Sequence, residues 1–245
     1  MFRCRIADLN VKIEGHSKEF PAYAESYAFD FRCRADIEAN AGREVILKYK
    51  KTHPDLRTET CADIIAGTEF YRGLIPFDGF MLRASAVSYN GKVYLFSPHF
   101  LSRNMLYADC AKKFLGKESS CLLSAERVAI RFTEETFFCY KTPWGGLSDE
   151  NSEPKLPVGA VVFIEPSDTP FLRKIQPGEY LRFFFPQTVR PSKIEQTTSL
   201  LGLFIRMTEQ LPVYVAGAGK KNAAAEAAVR EFFAAIGIAG EDSGV

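Results

Sequence analysis

Phe2, Cys4 and Ile6 alternate with Arg3 and Arg5, and Val11 and Ile13 flank Lys12. A period of two marks a strand with one buried face, so the chain is predicted to open with strands. The Val-Ile-Leu-Lys-Tyr run at 45–49 follows a glycine-containing turn and extends the pattern, giving a mainly antiparallel sheet to about residue 49. Residues 51–73 mix polar side chains with Ile64 and Ile65 and read as a connector with no regular structure assigned.

The clearest local signal is at 80–97, where two β-rich runs meet at Asn90-Gly91. That dipeptide supplies the positive φ values of a type I′ hairpin turn. Past Pro98, Leu101, Met105, Ala108, Ala111 and Leu115 recur at helical spacing, with Ser102 as N-cap and Gly116 placed to end the helix. A second hairpin pairs 127–132 with 136–140 around Thr133, Glu134 and Glu135, and the glycines and prolines of 142–154 exclude regular structure. Residues 158–164 are the nearly unbroken apolar run of a strand covered on both faces. Helices are predicted at 177–185 and 192–210, a strand at 213–215, and an alanine-rich helix at 222–236. The fold class is α/β. A β-rich N-terminal region spans 1–75, a mixed sheet flanked by helices spans 76–238, and a tail expected to fray spans 239–245.

Composition narrows the partners. With 245 residues and 47% apolar content the chain can bury a sizeable core, which excludes disorder as its dominant state. Thirty-one Lys and Arg against 30 Asp and Glu leave a net charge of +1, so no overall field favours nucleic acid or an anionic membrane. Apolar runs fall short of the roughly 20 residues of a membrane helix, and the charged start opposes a signal peptide. A cytoplasmic protein is expected. The cysteines at 4, 33, 61, 110, 121 and 139 lie far apart with no Cys-x-x-Cys pair, which argues against a metal site. Their even count allows disulfides, but chain size and the missing secretion signal favour thiols, most of them buried. His16 and His53 fall in polar stretches without an evident partner.

Strand, tight loop and helix start at 98–106 form the outline of a phosphate cradle. The stretch has no glycine for the backbone to wrap a phosphate, no lysine, and no hydroxyl after one, so it fits an ordinary βα connection; Arg103 alone remains to meet an anion. A second such outline at 213–222 carries Gly217, Gly219, Lys220 and Lys221 in neither nucleotide-binding spacing, with Asn222 suited to cap the helix. The acids Glu126, Asp149, Glu150 and Glu165 are scattered, with no histidine near enough to form a triad. Trp144 is the only tryptophan, in a Pro-Trp-Gly-Gly loop, and reads either as packing over a sheet edge or as an exposed binding anchor.

The stretch 77–97, followed in order by 127–131, 140–146, 156–165, 187–191 and 211–214, resembles the HPr-serine-kinase-like proteins, relatives of HPr kinase/phosphorylase on the phosphoenolpyruvate-carboxykinase (PEP-carboxykinase) P-loop fold. The resemblance implies a PEP-carboxykinase/HPr-kinase-like mixed sheet for the core. Its active-site motifs are altered here. At the phosphate-loop positions Ser102, Arg103, Asn104 and Met105, Asn104 stands for the phosphate-binding lysine and Met105 for the metal-binding hydroxyl. Ser124, Ala125 and Glu126 replace the family's Asn-Asp-Asp, Arg83 a common histidine, and Leu147 a common basic residue. These departures imply a degenerate, non-catalytic member, a pseudokinase without cofactor or metal. The family's company further implies a peptide or carrier-protein partner in a peptide-modification system, and homo-oligomers. Trp144, Asp149, Asn151 and Arg190 are the candidate partner-binding residues. Two rival readings are a serine kinase using Arg103, Lys220 or Lys221 with Glu126 as acid-base group, and a structural subunit of an oligomer.

Overall fold

The structure is a computed structural model that describes residues 1–98, 104–219 and 222–240. The predicted N-cap Ser102, Lys220, Lys221 and most of the tail lie outside the described residues.

Strands β1 (Phe2–Ile6) and β2 (Leu9–Glu14) form an antiparallel hairpin with Cys4 opposite Val11. The turn residues Ala7 and Asp8 have φ of 53° and 61°, the I′ geometry that glycine or asparagine adopts more easily. Three side chains from the core hold this turn. Arg131 donates to the Ala7 carbonyl at 2.7 Å, and Tyr140 and Lys155 each donate to the Asp8 carboxylate at 2.9 Å. After the single-turn helix α1 (Phe20–Tyr23), β3 (Ile37–Asn40) adds to the sheet parallel to β2.

The later half of this region is helical, which corrects two expectations. The apolar run at 45–49 lies in α2 (Arg43–Thr52), not in a strand. A strand would have put Val45, Leu47 and Tyr49 on one face; the helix instead turns Ile46 and Tyr49 to the core and leaves Val45 and Leu47 half exposed. Glu44 in the first turn and Lys50 and Lys51 in the last complement the helix dipole. The presumed connector holds α3 (Thr58–Gly73), whose buried face is made of Cys61, Ala62, Ile65, Ala66, Phe70 and Tyr71.

Next come β4 (Gly79–Arg83), β5 (Ser85–Tyr89) and β6 (Lys92–Pro98), with Asn90 and Gly91 at φ 49° and 69° in the expected hairpin turn between β5 and β6. Helix α4 (Asn104–Leu115) and β7 (Ser120–Ser124) follow, then the hairpin of β8 (Arg127–Thr133) and β9 (Thr136–Tyr140). Strand β10 (Lys155–Pro166) precedes β11 (Phe171–Lys174), which the sequence pattern did not suggest. The helix expected at 177–185 is reduced to α5 (Tyr180–Phe184) and a 3₁₀ turn at Phe185–Gln187, since Pro186 cannot donate within a helix. Helix α6 (Ile194–Gln210), β12 (Val213–Ala218) and α7 (Asn222–Ala235) complete the described elements.

These strands form a mixed nine-stranded sheet with helices packed against it. Strand β10 pairs antiparallel with β9 through Lys155–Pro157, then parallel with β6 on one side and β12 on the other. The register shifts at Gly159, where a Cβ would stand 2.9 Å from the Tyr94 ring. Alternate residues of β6, β10 and β12 fill two cores. Leu95, Phe163 and Val215 face α5 and α6, whereas Phe96, Val162 and Ala216 face α4 and α7, so β10 is covered on both faces as expected. A third core joins β1 to β3 and α3 to Met81, Ala129, Tyr140 and Trp144, and so crosses residue 75. All six cysteines are free thiols, four of them buried.

Candidate functional site

Parallel strands β6, β10 and β12 end side by side at Pro98, Pro166 and Ala218, and α4 and α7 follow the outer two. In open α/β sheets this carboxyl edge is where ligands bind. Of the phosphate-loop positions, Ser102 and Arg103 lie outside the described residues, and Asn104 is described only as the first residue of α4. Met105 packs against the core beneath α4 and α7. A thioether there supplies no hard oxygen ligand for Mg²⁺.

The Ser124-Ala125-Glu126 segment at the end of β7 is bound by one carbonyl. Gly145 O accepts from Ser124 Oγ at 2.7 Å, from Ala125 N at 3.1 Å and from Glu126 N at 3.0 Å. Ser124 Oγ also lies 2.8 Å from Arg127 O, so its single proton is shared between two backbone acceptors. Ala125 is buried. Glu126 is exposed and runs along Gly146, where a Cβ would stand 3.1 Å from Glu126 Cγ. Glu165, at the end of β10, is ion-paired with Arg182 at 2.7 Å.

Gly145 belongs to the irregular loop at 141–154, which is fastened at both ends. At the first, Thr142 Oγ1 and Tyr71 OH share a 2.7 Å hydrogen bond. Beside it Trp144 is only 8% exposed: its indole stacks on Phe70 at 5.2 Å, and α3 passes so closely that a Cβ on Gly67 would stand 2.8 Å from the indole Cγ. The exposed-anchor reading of Trp144 is thereby corrected. The ring is drawn inward because Gly67 and Ala66 leave room for it against α3, a fit that shows only once the helix is known.

At the far end the Asp149 carboxylate accepts from Leu122 N at 2.7 Å and from Lys112 at 2.5 Å. Burial alone would raise this carboxyl, but the hydrogen bonds from Lys112 and Leu122 and the charges of Lys112 and Lys141 outweigh it and hold it below the ordinary value. Burial pushes the Lys141 ammonium down against the attraction of Asp149; it donates to Ser152 Oγ at 2.9 Å. Asn151 is exposed on the same loop. Arg190 is also exposed, with its guanidinium 5.6 Å from the Phe185 ring centroid and its carbonyl accepting from Arg72 Nε at 3.3 Å. Helix α3 thus contacts both Thr142, through Tyr71, and the Arg190 carbonyl, through Arg72, whereas Asp149 bonds Leu122 of β7 and Lys112 of α4.

Two features were not foreseen. A cleft of about 480 Å³ opens between the β1–β2 turn and the loop, walled by Tyr27 and Tyr140 and lined by Arg5, Lys141, Glu150 and Lys155. Arg83 and Arg127 stand directly opposite each other across β4 and β8, both half-buried. Each residue was visible as a departure or a neighbour of one, but their juxtaposition depends on strand register. Among the described residues no group of three or more His, Cys, Asp or Glu is placed to hold a metal ion, and no helix is long and apolar enough to cross a membrane.

No family model matches the sequence, and a search of curated proteins finds no match. Among solved structures the chain is paired with the HPr(Ser) kinase/phosphatase from Coxiella burnetii at 9% identity and a TM-score of 0.29, over 53% of this chain and 90% of that one. At that score the pairing carries no argument about activity. What the structure itself supplies is a mixed α/β fold with an N-terminal β region and a helix-flanked sheet.

Proposed function

We propose that this chain is a non-catalytic binding protein, a pseudokinase of the HPr-serine-kinase-like type, that holds a peptide or carrier protein. The observation that carries the reading is the state of the Ser124-Ala125-Glu126 segment. Where the family resemblance implies metal-binding acids, a methyl group is buried and a serine is committed to two carbonyls. Met105 packed on the core at the implied metal-hydroxyl position agrees with it. The cleft beside the loop is consistent with such a partner. Its aromatic walls and mixed charges suit an extended polypeptide, with Asn151 exposed on the same loop. Six free thiols fit a reducing compartment such as the cytoplasm.

Calorimetric titration of the full chain with Mg-ATP and Mg-GTP at millimolar concentration tests the non-catalytic half of this reading. The expected result is no magnesium-dependent binding. A magnesium-dependent affinity in the micromolar range overturns it and restores the serine-kinase alternative, with Glu126 as the acid-base group.

A further inference from the structure

Arg83 and Arg127 are register partners on antiparallel strands, which places their Cα atoms about 4.5–5.5 Å apart. Both side chains leave the sheet on the face that carries Met81 and Ala129, toward α3. Like charges directly opposite destabilise a strand pair, and half-burial strengthens the repulsion by removing solvent screening. Burial, followed by the charge of Arg127, pushes the Arg83 guanidinium down, against a smaller attraction from Glu126.

Such a pair is ordinarily relieved by carboxylates or carbonyls. Arg131, four residues along β8 on the same face, shows such relief, donating to Phe77 O at 3.1 Å and Ala7 O at 2.7 Å. Among the described residues neither Arg83 nor Arg127 has a side-chain hydrogen-bond partner, and no carboxylate lies within 4.0 Å of either. Glu126, adjacent in sequence, is exposed along Gly146 and makes no ion pair with them.

We infer that Arg83 and Arg127 together form an oxyanion-binding site that receives a phosphate or carboxylate group. Two guanidinium groups carried by register partners on one face of the sheet can both donate N–H groups to the oxygens of one anion, and that anion offsets the repulsion between them. The site adjoins the Gly145-Gly146 turn, where a Cβ on Gly145 would stand 3.1 Å from Arg127 O. The identity of the carrier, an anionic side chain or terminus of a peptide, rests on the binding-protein reading above. Oxyanion capture does not, because it stands on the arginine pair.

Thermal melting of the full chain in inorganic phosphate, in acetate and in chloride of matched ionic strength tests the site. A ligand held only by the folded state raises the melting temperature with concentration. Phosphate or acetate is expected to do so beyond chloride, and which of them does so identifies the preferred group. Arg83→Gln and Arg127→Gln, made separately, are each expected to weaken that binding about tenfold or more. In chloride each variant should melt at or above the wild-type temperature, because a repulsion has been removed; a merely structural arginine would lower it. Arg83→Lys keeps the charge but loses the fork, and should bind weakly while folding normally. Absence of any anion-specific shift in the wild type, or an undiminished shift in both glutamine variants, overturns the site. Neither result bears on nucleotide binding, so the two readings fail separately.

Discussion

Trp144 fills the angle between α3 and the loop at 141–154, in contact with Phe20, Phe70 and Tyr71. Truncating a buried aromatic removes its transfer free energy and leaves a cavity, so Trp144→Ala should cost about 3–5 kcal/mol. Urea unfolding followed by circular dichroism is the measurement, because the substitution removes the only tryptophan fluorophore. A variant as stable as the wild type would put the indole in solvent. The arginines differ in kind: among the described residues they have no acceptor, and their juxtaposition appears only when the β4–β8 register is known.

At the scale of elements, the loop at 141–154 behaves as a clasp whose far end depends on the Asp149 carboxylate. Its folded-state value lies below the ordinary 3.8, so its contribution is present above that value and is lost as pH falls through the folded-state value. Asp149→Asn should lower stability at neutral pH and flatten the loss of stability in acid below 3.8, read as urea midpoints across a pH series. An identical acid profile in the two proteins would show that the clasp does not depend on this charge. Elements with a local signal were legible in the sequence: Asn90-Gly91 sets a turn by its own backbone preference, and residues 158–164 form the kind of apolar run found in a strand covered on both faces. The 45–49 run was misread because five apolar-rich residues satisfy a period of two or of 3.6 about equally well, and the charges that cap α2 decide it. Helix α3 was missed because Ala62, Ala66 and Gly67 give a weak apolar stripe; their small size matters only against Trp144 and β3. Of the site, single residues were visible and their neighbours were not.

For the whole molecule, the N-terminal region and the sheet share one core. Cys4, Ile6, Val11 and Phe20 cluster with Met81, Ala129, Tyr140 and Trp144, and the β1–β2 turn is held by Arg131, Tyr140 and Lys155. A fragment beginning at residue 76 would expose that apolar face and remove the acceptors that the β1–β2 turn gives those three side chains. It is expected to lose cooperative unfolding, whereas the full chain should unfold in one transition by both circular dichroism and Trp144 fluorescence. A cooperative fragment would establish residue 75 as a domain boundary.

The two-sided pairing of β10 also sets an order on synthesis. Its contact with β9 is local, but its partner β6 is made long before it and β12 well after it. Until β12 leaves the ribosome, Val161–Pro166 presents an open, apolar strand edge, the kind of surface on which nascent chains aggregate. Closing the sheet from both directions makes folding slow relative to chains built from local pairs, and leaves the nascent chain dependent on whatever shields that edge in the interval.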